Sequence, residues 1–224
     1  MKVLIACEES QATCKEFRLL GHEAYSCDLL PCSGGHKEWH IQGDAIKEAY
    51  SGKYELMIAH PPCTYLAVSG ARWLYNKDGT KNQERWNNQE EGLNFVRKLL
   101  NAPIKHIALE NPISVISSYI RKPDQIVQPY MFGDEAQKST CLWLKNLPLL
   151  KPTNIVGKGE FIEFISKDGK KKRQPKWYFE ALKNAKTTEE RRTLRSKTFT
   201  GMAKAFAEQW GNLSNYHRQT KLEL

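Results

Sequence analysis

No apolar run in this 224-residue chain approaches the roughly 20 residues that a membrane-spanning helix needs, which excludes an α-helical membrane protein. The opening MKVLIACEES turns acidic too early for a secretory leader, so a cytoplasmic protein is expected. Six cysteines, at 7, 14, 27, 32, 63 and 141, lack the paired spacing of a disulfide framework and read as reduced thiols. Repeats and low-complexity tracts are absent. Glycine is missing from the first twenty residues. The turn after the first apolar run therefore lacks the backbone access that a dinucleotide or triphosphate requires. Glu8 and Glu9 stand there instead, and carboxylates suit an ammonium group better than a phosphate.

Charge is present but unevenly placed. Residues 1–150 hold 17 basic and 17 acidic side chains, whereas residues 151–224 hold 17 and 8, so the net charge of +9 lies in the last third. A neutral body with one cationic surface is the footprint of polyanion binding. The competing explanation is a solvated lysine-rich face without a partner.

Apolar runs at 2–6, 23–27, 54–59, 104–110 and 140–144 read as strands, the third stopped by Pro61 and the fourth by Pro112. Between them, residues 12–21 and 89–100 carry apolar side chains at helical spacing, with Gly21 ending the first helix. Alternating strands and helices predict an α/β fold, a mostly parallel sheet with helices on both faces. Past residue 150 a hairpin is expected to turn at Asp168-Gly169, with a cationic return strand. Thr188, followed by two glutamates, could open a helix. GMAKAFAEQWG reads as an amphipathic closing helix, followed by a polar tail.

Ligands of open parallel sheets bind beyond the carboxyl ends of the strands. Asp28, Asp44, Cys63 and Glu110 fall at or just after such ends. Asp28 could accept hydrogen bonds from a ribose or could cap a helix, and Asp44 could equally be an ordinary N-cap. The segment HPPC is stiff, because proline fixes its own φ and restricts the residue before it. Cys63 is thus either a structural thiol or a nucleophile presented at the sheet edge, and ENP at 110–112 brings a carboxylate and an amide to the next strand end. His60 beside the prolines could help set a thiolate or simply pack. Asp28, Cys32, His36 and His40 could ligate zinc, but Asp28 is claimed by the ribose reading, which leaves no clear fourth ligand, and no metal is expected. His36, Trp39 and His40 read instead as shaping a loop over the cofactor or substrate. Trp73, Trp86 and Trp143 read as core.

In order along the chain, Asp28, GDA (43–45), HPPCTYLAVSG (60–70), ENP (110–112), FGDEAQKST (132–140) and RSKTFTGMAKAFAEQWG (195–211) resemble elements of the DNA cytosine-5 methyltransferases. The departures are the absent glycine-rich first motif, Thr64 in place of glutamine, and Lys138 and Thr140 where arginines stand in the family. The chain resembles a compact, divergent member such as occurs among phage and bacteria. The resemblance implies a Rossmann-like class I methyltransferase fold, S-adenosylmethionine as cofactor, and duplex DNA with a flipped cytosine as substrate. Cys63 would be the nucleophile, Glu110 a protonated acid toward the base, Asn111 a brace for the loop, and Lys138 a contact to base or phosphate. Glu8, Asp28, Asp44 and Pro61 would line the cofactor, and Lys170, Lys171, Lys172 and Arg173 would grip DNA.

The expected organisation is a catalytic domain over 1–145, a small basic recognition segment over 146–195, and a closing helix with polar tail over 196–224. Two alternatives stay open. One is methyl transfer to a free pyrimidine nucleotide, motivated by the short recognition segment. The other is a non-catalytic nucleotide or nucleic-acid binder, motivated by the glycine-free turn and the missing arginines.

Overall fold

The computed structural model of the chain describes residues 1–166, 168–187, 190, 194 and 198–213. Its strands are β1 (Lys2–Ala6), β2 (Glu23–Asp28), β3 (His40–Gln42), β4 (Leu56–Ala59), β5 (His106–Pro112), β6 (Gln125–Val127), β7 (Thr140–Lys145), β8 (Phe161–Ile165) and β9 (Lys171–Pro175). The helices are α1 (Ala12–Leu19), α2 (Ala45–Ala49), α3 (Gln83–Leu100), α4 (Ile116–Tyr119), α5 (Lys176–Asn184) and α6 (Thr200–Trp210).

Seven strands form one sheet in the order β3-β2-β1-β4-β5-β7-β6. All neighbours are parallel as far as β5, and β7 runs antiparallel to both β5 and β6. Val3, Leu4, Ile5 and Ala6 are fully buried on successive, opposite-facing positions. A strand with no polar face can only lie inside a sheet covered on both sides, and β1 is central. Chain order reverses between β1 and β4, so the carboxyl ends of these two strands open a crevice. This is a Rossmann-like α/β fold, as expected from the sequence.

One apolar layer joins Met57, Leu93, Val96, Leu99 and Trp143 on the α2–α3 side. The other joins Phe17, Leu56, Ile58, Phe206 and Trp210 on the α1–α6 side. Phe206 and Trp210 stack at 4.9 Å, and the Trp210 indole N–H donates to the Pro148 carbonyl at 3.0 Å. Burying such a ring contributes about 2–3 kcal/mol. At the other end of α6, Gly201 donates its N–H to Asp134 Oδ2 at 2.9 Å, and a Cβ there would collide with the Phe132 carbonyl. The closing helix thus docks at both ends.

Several boundaries differ from the sequence reading. α3 starts six residues earlier than its apolar spacing indicates, because Asn82 caps it by accepting from Arg85 N–H at 3.2 Å. β3 and β6, three residues each, and α5 carry signals too short or too mixed to stand out. Trp143 is fully buried, but Trp73 is 53% exposed, with the Arg72 guanidinium 4.4 Å above its ring. The turn between β8 and β9 falls at Asp168-Gly169 as expected, with Gly169 at φ 75°. The helix expected from Thr188 lies outside the described residues, as does the tail beyond Leu213. No helix among the described residues is long and apolar enough to cross a membrane.

Candidate active site

The site is built where β4 and β5 end side by side. Ala59 pairs with Leu109, which sets His60 beside Glu110 and Pro61 beside Asn111 on the continuing backbones. Proline then turns the chain out of the sheet. The fully buried Asn111 carboxamide donates from Nδ2 to the Pro61 carbonyl at 2.9 Å. The Cys63 carbonyl accepts from the N–H groups of Leu66 and Ala67 at 3.0 and 2.9 Å, closing a tight turn. Beyond that turn, Val68 N–H donates to Ile113 O at 3.2 Å and Val115 N–H to Leu66 O at 2.9 Å. From α3, Gln89 donates to Tyr65 O at 3.1 Å and Arg85 to Thr64 O at 3.3 Å. The half-buried Cys63 therefore sits on a segment held from two sides. Burial pushes the Cys14 and Cys27 thiols up to about 12, so neither is a thiolate at neutral pH.

Glu110 is not the carboxyl in apolar surroundings that its proposed role called for. Its Oε2 lies 3.3 Å from His60 Nδ1, and both side chains are largely shielded, at 15% and 12% exposure. Burial alone would raise the Glu110 pKa, but the His60 hydrogen bond and the charges of Lys138 and His60 outweigh it. The net direction is downward. Burial alone would likewise lower the His60 pKa, yet the Glu110 hydrogen bond and charge, with Glu8, hold it raised. Both directions favour imidazolium and carboxylate in the resting pair, against the protonated Glu110 that the resemblance implies. On its far side, His60 Nε2 meets the Thr13 hydroxyl at 3.4 Å.

Glu8 is placed differently from its expected cofactor role. It is 3% exposed, and its two oxygens accept from the N–H groups of Thr13 and Cys14 at 2.7 and 3.1 Å. It caps α1, whose own N-cap residue Gln11 sits in the left-handed region at φ 59° without a side-chain cap. Each of its oxygens is thus engaged by the first turn of α1. Its pKa is raised by burial against the lowering influence of His60 and these hydrogen bonds.

Asp28 stays half-buried at the carboxyl end of β2, its Oδ1 accepting from Leu30 N–H at 2.9 Å. Leu29 and Leu30 beside it are 75% and 53% exposed. A carboxylate flanked by uncovered apolar side chains, one strand over from the switch point, can accept hydrogen bonds from a ribose. Asp44 caps α2 by accepting from Ile46 N–H at 2.8 Å and is itself exposed. The loop over 29–36 folds onto the first turn: Gln11 donates to His36 O at 2.7 Å and accepts from His36 N–H at 3.0 Å. Gly34 is required there, since a Cβ would strike Ser10 O and the Gln11 side chain. Nothing in the sequence singled out Gln11.

The four residues weighed for zinc are spread among other partners. Cys32 meets Gln11 Oε1 at 3.3 Å, the His36 ring stacks on Trp39 at 3.8 Å, and His40 contacts Ser26 Oγ at 2.9 Å and Leu30 O at 3.0 Å. Among the described residues, no group of three or more His, Cys, Asp or Glu side chains is placed to hold a metal ion.

Lys138 lies near enough to act electrostatically on both His60 and Glu110, with its Nζ 5.9 Å from the Phe199 ring centre. The hairpin of β8 and β9 carries the other cations, and its following helix anchors it through Trp177 Nε1 donating to Gln137 O at 3.2 Å. Lys171 pairs with Glu163 at 2.6 Å, while Lys170 and Lys172 reach Asp168 at 3.7 and 4.0 Å. Arg173 stacks 4.2 Å over Phe161. These pairs are solvent-exposed and therefore weak, so a phosphate can displace them.

No family model and no curated protein sequence matches this chain. Among solved structures, it aligns with a chain described as a candidate DNA modification methyltransferase encoded within an E. coli prophage, with a TM-score of 0.44 and 12% identity. The alignment covers 70% of this chain and spans about half, 52%, of the other. Strand order, rather than that likeness, defines the fold.

Proposed function

We propose that this protein is an S-adenosylmethionine-dependent methyltransferase acting on carbon 5 of cytosine in DNA through a covalent adduct with Cys63. The observation that carries the reading is the Asn111–Pro61 hydrogen bond of 2.9 Å, which ties the cysteine turn to the strand end bearing Glu110. Carbon 5 of cytosine is too electron-poor to take a methyl group unaided. A thiolate adding to carbon 6 makes it nucleophilic, which divides one hard step into easier ones. Glu110 supports the adduct at N3, and loss of the carbon-5 proton with expulsion of the thiolate ends the cycle.

Asp28 would hold the cofactor ribose, with Leu29 and Leu30 along the base and Asp44 and Pro61 at the edge of the crevice. The cofactor, when bound, supplies the electrophilic methyl group. Lys138 would steady the base or its phosphate. Lys170, Lys171, Lys172 and Arg173 would hold the duplex while the target base is extruded, in keeping with residues 1–145 as catalytic body and 146–195 as recognition segment.

A second reading, methyl transfer to a free pyrimidine nucleotide, is favoured by one observation: the hairpin lysines are paired with Asp168 and Glu163 of the same hairpin. Incubation with labelled S-adenosylmethionine and unmodified duplex DNA, followed by mass analysis of the nucleosides, separates the two. Methylation at carbon 5 of deoxycytidine is expected from the duplex. Methylation of free nucleotide alone would favour the second reading, and neither product would leave a non-catalytic binder.

A further inference from the structure

We propose that His60 is the proton store of the site, a positioning residue that hands Glu110 the proton it gives to N3 of the pyrimidine and takes it back at the end of the cycle. The proposal rests on the methyltransferase reading and deepens it. Glu110 must donate a proton to N3, yet the His60 hydrogen bond and the nearby cations pull its pKa down. A group able to supply that proton is one hydrogen bond away, His60 Nδ1 at 3.3 Å.

The geometry around His60 fits this task. Every element packed on the ring contributes a polar group: Glu110 from β5, Glu8 from the turn after β1, Thr13 from α1, and Lys138 just ahead of β7. Thr140 of β7 adds a further lowering influence on the Glu110 carboxyl. With Nε2–H donated to the Thr13 hydroxyl and Nδ1–H to Glu110, the imidazolium has a partner on each nitrogen. The His60 backbone is fixed as well, its N–H donating to Ala6 O at 2.9 Å. A cytosine beside the carboxylate would displace water and favour the neutral forms of the pair, because transfer from Nδ1 to oxygen removes two opposite charges from a dry site.

The proton count closes. One proton passes from Nδ1 to the Glu110 carboxylate, leaving neutral imidazole and neutral carboxyl. As the Cys63 sulfur bonds carbon 6, the carbon 5–carbon 6 electron pair shifts toward carbon 5, N3 takes the carboxyl proton and Glu110 is a carboxylate again. Once carbon 5 carries the methyl group, its proton leaves to solvent and the electron pair of that bond re-forms the carbon 5–carbon 6 double bond. The carbon–sulfur pair leaves with Cys63 as thiolate, and N3 returns its proton to Glu110 and thence to His60.

Two measurements test this. The first is ¹⁵N NMR of the His60 ring in the native protein and in Glu110→Gln. Protonation of both ring nitrogens at neutral pH is expected in the native protein, with the titration falling by at least one pH unit in the variant. A neutral His60 ring at pH 6 in the native protein would overturn the proposal without any assay of turnover. The second is the pH dependence of kcat for methyl transfer to duplex DNA by native protein, His60→Gln and His60→Asn. Loss of the store leaves Glu110 alone to carry the proton. The alkaline limb should therefore move at least one pH unit lower, with kcat at pH 8 down tenfold or more and KM for DNA within about twofold. Variants that are slower at every pH with an unmoved limb would reduce His60 to a packing role. If the native protein transfers no methyl group at any pH while its ring titrates as described, the methyltransferase reading falls and takes the pyrimidine relay with it. An active native protein with unmoved variant limbs sinks the relay alone.

Discussion

The Asn111 carboxamide donates to the Pro61 carbonyl across fifty positions of sequence, and through this bond the ends of β4 and β5 become one rigid unit. Both partners are buried, so no solvent can substitute for either. The stiff Pro61-Pro62 turn is thereby fixed relative to Glu110.

Replacing Asn111 with Ala leaves a buried carbonyl without its donor. The cost should be about 1–3 kcal/mol in urea unfolding. Trapping of Cys63 on DNA containing 5-fluorocytosine should slow about 100-fold, as expected when a reacting atom is misplaced by roughly an ångström. Trapping at the native rate would mean that the bond steadies the fold and not the site.

Cys63→Ser should abolish methyl transfer while S-adenosylmethionine affinity, read by calorimetry, stays unchanged. Mass mapping of the 5-fluorocytosine adduct should find Cys63 alone, because burial raises the thiols of Cys7, Cys14, Cys27 and Cys141, and Cys32, on the loop over 29–36, is hydrogen-bonded to Gln11. Unchanged turnover would return Cys63 to a structural role.

The His60–Glu110 pair makes stability depend on pH in a defined window. His60 is raised above its ordinary 6.5, so its contribution is full below about 6.5 and is lost as pH climbs through the folded value. Glu110 is held below its ordinary 4.5, so its contribution is full above about 4.5 and is lost as pH falls through the folded value. The difference in unfolding free energy between native protein and Glu110→Gln should therefore peak between about pH 4.5 and 6.5. A flat difference from pH 4 to 9 would show the pair to be uncoupled.

Gly201→Ala should push α6 away from the Phe132 carbonyl, where no room exists for a Cβ. Overpacking of this kind costs about 1–3 kcal/mol, which lowers the melting temperature of a domain this size by roughly 2–12 °C. An unchanged melting temperature would show that the helix end shifts freely.

Reversing charge at Lys170, Lys171 and Lys172 should weaken binding to duplexes of any sequence. The slope of log affinity against log salt should drop by about one for each phosphate that is no longer neutralised. An unaffected slope would move the DNA surface elsewhere, with the exposed Trp73 and Arg72 as the next place to look.

What the sequence determined on its own was local. Buried apolar runs named β1, β2, β4, β5 and β7, prolines marked the ends of β4 and β5, and helical spacing located α1, part of α3 and α6. These signals survive in one dimension because each lies within a single turn or strand. Tertiary structure decided the rest. Strands as short as β3 and β6 exist only because a neighbouring strand supplies their hydrogen bonds. Glu8 turned inward because the backbone at Cys7 and Gln11 takes left-handed angles, which no glycine announced. HPPC and ENP were each visible, but what bears on the Glu110 proton was not, since a carboxyl's pKa depends on what faces it. Here that is His60, fifty positions away in the chain and 3.3 Å away in space.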